Sequence, residues 1–353
     1  MVCSALLLHA GPITYSLIDL GVLEGGNITT GRAISSNGWV AGYGDIDSGA
    51  TQAFSWKSSF SVIGPSDSPA AYGLGINSSG YFVGYAYTAD FGQYNAFLYG
   101  ASGFTAIPTL GGTNNAAYGI NNAGVVVGWS EDSTGLQTAF QYSGGTSSAL
   151  SGLPAATSSR ATAINSSGLI VGATGDTESS STAFLYDPAS SVLTLLGAPS
   201  SHPASEALAI SDSGLVAGYA SSDADRQAFL YDGSFHLLGT LGGDSIAYGV
   251  NSDGTVVGTS DDTAFVYYKT SGMFDLNTLL VTSGWTLSDA MAVNDLGQIV
   301  GTGYYGADGQ QHAYLLTPSD SPGPPSSVPE PGTWALLAGG LAGLAFLRRR
   351  FHS

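Results

Sequence analysis

Short apolar runs broken every few residues by Gly, Ser, Asn or Asp fill the chain, and they recur in one order. The clearest copy is Gly119-Ile120-Asn121-Asn122-Ala123-Gly124-Val125-Val126-Val127-Gly128. An aliphatic residue is followed by Asn or Ser, two variable residues, Gly, three mostly apolar residues and a second Gly. Seven copies stand on Ile34, Ile76, Ile120, Ile164, Ile210, Val250 and Val293, and their first glycines are 40 to 46 residues apart. A period of about 40 to 50 residues marks a propeller or solenoid unit. A second phrase, Ala then an aromatic, follows each copy: Ala53-Phe54, Ala96-Phe97, Ala139-Phe140, Ala183-Phe184, Ala228-Phe229, Ala264-Phe265 and Ala313-Tyr314. A third, clearest in Leu238-Gly239-Thr240-Leu241-Gly242-Gly243, completes four strand-like runs per unit.

Asn or Ser with Gly three places later suits a tight turn whose Gly adopts the left-handed conformation. The second Gly falls inside a strand, where it costs about 0.5 to 1 kcal/mol relative to Ala. A packing reason is therefore expected, namely the Phe of the next strand lying over it. Before position 333 no long segment places apolar residues at helical spacing, so almost no helix is expected there.

The units are out of phase with the chain ends. Tyr15-Ser16-Leu17-Ile18-Asp19-Leu20-Gly21 resembles a third phrase, while the seventh unit stops after Leu315-Leu316 without a fourth strand. If the opening strand completes the last unit, the array closes and no sheet edge is left exposed. The expected fold is an all-β, seven-bladed β-propeller over residues 13–317, closed by its N-terminal strand, with a C-terminal transmembrane helix. Residues 1–12, an apolar run ending in small residues without a basic start, are expected to be the remnant of a truncated signal peptide.

Composition narrows the chemistry. The chain has 51 glycines, 10% charged residues and a net charge of −18. Three of its eight basic residues are Arg348, Arg349 and Arg350, so the repeat body is more acidic still. Such a body repels phosphate backbones, and nucleic acid is not an expected partner. Cys3 is the only cysteine, which excludes an intrachain disulfide and a thiolate metal site. The loop after the second strand is acidic in every unit. Asp45, Asp47, Asp132, Asp176, Asp225, Asp261 and Asp262 form the candidate rim for a cation, with Ca2+ the ion considered. The same composition describes ordinary solvated hairpin tips, and no loop has the oxygen spacing of a calcium loop. No other metal site or cofactor is expected. Histidines occupy different places in their units, and neither a nucleophile elbow nor a phosphate-cradling loop is present. The expectation is a protein that is not an enzyme.

Beyond the body, residues 318–328 are a Pro/Ser linker. Pro329-Glu330-Pro331, an apolar run from Ala335 to Leu347 and Arg348 to Arg350 then follow in order. This ending resembles the PEP-CTERM sorting signal, which implies a Gram-negative bacterium, export across the inner membrane, transient anchoring by the helix and processing by an exosortase-type membrane protease. That lifestyle also implies exopolysaccharide as a partner and a place at the cell surface or in the matrix. The repeats resemble the HAF family of extracellular repeats, whose pattern joins Ala-Phe to Leu-Gly-Thr-Leu-Gly-Gly and Ile-Asn-x-x-Gly-x-Val-Val-Gly. The match is closest at Ala228-Phe229, Leu238 to Gly243 and Val250 to Gly258. The family's His before Ala-Phe survives only as His312. Together these readings point to an exported, surface-sorted protein with a structural, adhesive or matrix-associated role; the alternative is a propeller that binds calcium or polysaccharide.

Overall fold

The computed structural model describes residues 13–65, 68–282, 284–306 and 309–319. Seven four-stranded antiparallel sheets follow one another around an axis as blades I to VII. Blades I to VI are each continuous in sequence, running from Thr29–Ile34 as the innermost strand of blade I to Gly272–Asp275 as the outermost of blade VI. Blade VII takes its three inner strands, Trp285–Val293, Ile299–Tyr305 and Gln310–Pro318, from the end of the repeat body. Its outermost strand is Tyr15–Gly21, from the beginning. The expected closure is therefore observed, with Leu17 opposite Leu316 and Tyr15 opposite Pro318. The last strand includes Pro318, one residue past the boundary expected for the linker. Helical structure among the described residues is limited to two 3-10 turns, Glu178–Ser180 and Leu276–Leu279.

The Ala-Phe dipeptide explains how one blade meets the next. Adjacent strand residues point to opposite faces, so Phe184 of blade IV packs back against Val127 and Ala139 of blade III. Ala183 packs forward beneath Phe229 of blade V. The same large-on-small arrangement recurs at every junction, including Phe54 of blade I against Val300 and Ala313 of blade VII. All seven of these alanines, with all six Phe and Tyr314, are fully buried. A second link comes from the Ala N–H. In five junctions it donates to a side chain of the following blade: Ala96 to Asn115, Ala139 to Ser159, Ala183 to Ser205, Ala228 to Ser245 and Ala313 to Thr29, at 2.7 to 3.0 Å.

Each second Gly pairs with the expected aromatic, as Gly172 does with Phe184 and Gly301 with Tyr314. The aromatic ring is not the nearest obstacle, however. A Cβ at Gly172 would run into the carbonyl oxygen of Arg160 on the innermost strand, and at Gly84 into that of Tyr72. Backbone approach across the sheet demands the glycine, and the ring closes over it afterwards. The first glycines of the seven copies all have positive φ, from +72° to +90°, as their turns require.

The chain divides after Pro318 into this body and a unit Ser319–Ser353. The predicted transmembrane helix, Pro329 to Pro331, Arg348 to Arg350 and residues 1–12 lie outside the described residues. No helix among the described residues is long and apolar enough to cross a membrane.

Candidate functional site

Antiparallel strands put the Asn/Ser turns of all blades at one end of the axis and the acidic loops at the other. At the turn end the motif Asn performs two tasks. Its Oδ1 accepts the N–H four residues on, as from Leu169 to Asn165 at 2.9 Å. Its Nδ2 donates to a carbonyl of the next blade: Asn77 to Asn121, Asn121 to Asn165, Asn165 to Ser211, Asn251 to Asn294 and Asn294 to Ser35. Blades I and V carry Ser35 and Ser211 instead, too short to reach. There Asn37 donates to the Ser78 carbonyl and Ser213 to the Ser252 carbonyl. Seven joints thus complete a ring around the axis.

The innermost strands line the axial channel, and every one is bulged at the residue two places before the motif's aliphatic residue. The register shifts between Gly31 and Ala33, Gly73 and Gly75, Ala117 and Gly119, Ala161 and Ala163, Ala207 and Ala209, Ala247 and Gly249, and Ala290 and Ala292. The residues so extruded are Arg32, Leu74, Tyr118, Thr162, Leu208, Tyr248 and Met291, and all of them line a cavity of about 460 Å³. Bulges commonly re-aim side chains in this way. These positions differ from blade to blade, so the channel wall is asymmetric within a regular frame.

Toward the acidic-loop end the wall falls into three sectors. Across blades I to III lies an aromatic cluster: Tyr43 meets Tyr72 edge-on at 4.8 Å, Tyr72 stacks on Tyr85 at 4.9 Å, and Tyr94 meets Trp129 at 5.8 Å. Burial pushes the Tyr94 hydroxyl up to about 12. Across blades IV and V, Arg160 pairs with the buried Glu206, and Arg226 pairs with Glu178 at 3.1 Å. Across blades VI, VII and I, a cavity of about 650 Å³ is lined by Arg32, Tyr248, Asp289, Met291 and Gln311, among others. Two of the five basic residues of the body, Arg32 and Arg160, therefore line the channel.

Asp289 is the carboxyl of this cavity that burial raises. Burial pushes it up to about 6, opposed by an N–H from Thr302 at 2.9 Å and by the nearby Arg32 charge. A carboxyl whose pKa is raised on folding contributes stability below pH about 4 that is lost as pH rises through about 6. Asp289→Asn keeps the acceptor for Thr302 and removes the charge. Urea melts are expected to show little change at pH 4 and a gain of about 2 kcal/mol at pH 8; an equal change at both pH values would contradict this assignment.

The rim residues are dispersed. Asp45 accepts from the N–H groups of Asn27 and Ile28 at 2.8 and 2.7 Å. Burial works against its ionisation, but these bonds prevail and hold it below the ordinary value. Asp132 closes its own turn through Thr134 and Leu136. Asp176 accepts from Ser158, and Asp225 from Ser222, Gln227 and His202. Beside Asp132, bonds from Thr113 and Asn114 hold Glu131 at about 2. Asp261 and Asp262 form the tip of the shortest hairpin, both at positive φ, and Asp47 is exposed. Among the described residues, no three His, Cys, Asp or Glu side chains gather as a metal could require. His312, the survivor of the repeat histidine, bonds Asp19 at 2.9 Å and so ties the closing strand to its neighbour.

Residues 327–350 match the profile of the PEP-CTERM protein-sorting motif. The chain carries a PEP-CTERM sorting signal. That signal implies export toward the cell envelope for the propeller it follows. Residues 155–321, covering blades IV to VI and the three inner strands of blade VII, match a family described as protein of unknown function (DUF3466). A comparison with curated proteins finds no match. Among solved structures, the PEP-CTERM chain is similar to TolB from Acinetobacter baumannii at 11% identity and a TM-score of 0.44, covering 79% of this chain and 63% of that one. It is similar to an acylaminoacyl peptidase from Pyrococcus horikoshii at 11% identity and a TM-score of 0.49, covering 82% and 51%. It is also similar to a lectin from Aleuria aurantia at 12% and 0.41, covering 74% and 94%. The chain thus spans about half to two thirds of the length of the first two.

The sequence pointed to the rim and missed the channel wall. Arg32, Arg160, Glu206, Tyr248, Asp289 and Met291 sit two or four places before the motif's aliphatic residue, where aligned repeats vary most. Two of the body's five basic residues, Arg32 and Arg160, fall two and four places before that aliphatic residue, and this was the available signal.

Proposed function

We propose that the protein is exported, held briefly in the inner membrane of a Gram-negative bacterium by Ala335 to Leu347, and cut near Pro329-Glu330-Pro331 by an exosortase-type protease. The propeller is then released to the surface or matrix as a structural or adhesive component. The observation that carries this reading is the sorting signal placed directly after a closed body. Arg348 to Arg350 hold the end of the helix on the cytoplasmic side. The Ala-Phe and Leu-Gly-Thr-Leu-Gly-Gly phrases support placing the repeats with the HAF extracellular family, and exopolysaccharide is the matrix partner the reading implies. On this reading the body is not a catalyst. Asp45, Asp132, Asp176 and Asp225 are engaged in hydrogen bonds that fix their own or neighbouring loops, which favours a structural role over calcium binding.

The test is the intact mass of the protein recovered from outside the cell. In cells with an exosortase, the mature chain is expected to end near residue 329, and replacing Pro329-Glu330-Pro331 with three alanines should leave full-length chain in the inner membrane. Recovery of exported chain still ending in Arg348 to Ser353 would overturn the proposal.

A further inference from the structure

We propose that the channel mouth at the acidic-loop end, between blades VI, VII and I, binds a small hydroxylated carboxylate, with its carboxylate on Arg32 and a hydroxyl on Asp289. The inference does not depend on how the protein is sorted. Arg32 and Asp289 line the same cavity, yet among the described residues neither forms an ion pair. The hydrogen-bond contact of Arg32 is to Met291 Sδ at 3.7 Å, a weak acceptor that leaves most of the guanidinium's five donors free for another group. An arginine and a half-buried carboxyl sharing one space without an ion pair leave room for a ligand that satisfies both.

Ligand class follows from the wall. One planar guanidinium suits a carboxylate taken in two parallel hydrogen bonds, whereas phosphate recognition uses clusters of arginines. A neutral sugar would leave the Arg32 guanidinium unmatched. Thr286, Tyr248 and Gln311 supply hydroxyl and amide groups around Arg32 and Asp289, and Asp262 borders the same cavity from its exposed hairpin tip, a further acceptor for ligand hydroxyls. Gln311 is already held by its amide on Thr30 Oγ1 at 3.1 Å. The partner strand places Tyr43 directly opposite Thr30, so the aromatic sector begins one strand away from the site. Arg32, Tyr248 and Met291 border both this cavity of about 650 Å³ and the axial one of about 460 Å³. Both volumes lie in the range of small-molecule sites, roughly 300 to 1,000 Å³.

Methionine gives a local readout. Met291 touches Arg32, whereas Met273 lies in the outermost strand of blade VI. In the full chain labelled with 13C at the methionine methyls, glucuronate at about 1 mM is expected to shift the Met291 signal and leave Met273 in place. Glucose, lacking the carboxylate, and acetate, lacking the hydroxyls, should each need roughly tenfold more. Calorimetry should show Arg32→Gln weakening glucuronate at least roughly tenfold, while Lys57→Gln, which removes the same charge elsewhere, changes nothing. An unmoved Met291 signal, equal shifts at both methionines, or equal affinity in the Arg32→Gln chain would each overturn the proposal.

Discussion

Deleting the opening strand, Tyr15–Gly21, is expected to abolish the monomeric folded body. The strand pairs with Ala313 to Pro318 along the outer edge of the last strand and buries Tyr15 and Leu20. Tyr15 donates or accepts at Tyr268 at 2.8 Å, its carbonyl accepts from Val281, and it belongs to the core shared by blades VI and VII. Burying a residue of that size contributes about 1.5 to 3 kcal/mol. Losing it together with a strand's worth of pairing approaches the 5 to 15 kcal/mol typical of a whole domain. The bared edge would also template pairing with a second chain. Size-exclusion chromatography should show aggregates or dimers, and a peptide spanning residues 13–23 should restore the monomer. A truncated chain that stays monomeric and melts within about 1 kcal/mol of the intact protein would show that closure contributes little.

Phe184→Ala should cost about 3 to 5 kcal/mol, because it empties the interface between blades III and IV. Phe104→Ala, at a ring 42% exposed, should cost far less. Gly172→Ala should cost about 1 to 3 kcal/mol, and the two lesions report on different neighbours. If the ring alone forbade a side chain at Gly172, Phe184→Ala would rescue Gly172→Ala. The Arg160 carbonyl lies closer than the ring, so the glycine lesion should persist in the double variant. Denaturant melts of the four chains decide it, and full rescue would show that the ring is the obstacle.

Several features were legible without coordinates because they are local or periodic. The turn glycines follow from turn geometry, and the positive φ at each of the seven confirms that reading. Blade count follows from repeat count, and the phase mismatch at the two ends named Tyr15–Gly21 as the missing strand of blade VII. Pro329-Glu330-Pro331 with its apolar run and arginines is a linear signal, read in full from the chain. Ala before Phe was visible as a pattern but not as a cause. Its smallness makes sense only when Phe229 of the next blade is seen to occupy the space above Ala183.

What the amino-acid order determined by itself was the repeating unit, its number and its point of closure, since each depends on residues within one repeat or on the phase of the ends. Tertiary structure alone decided the channel wall. A one-residue bulge in each innermost strand reverses which side chain faces the axis, and no common residue type marks it in the sequence. The meeting of Arg32 with Asp289 likewise required the ring to close, because it brings residues 257 positions apart to one cavity.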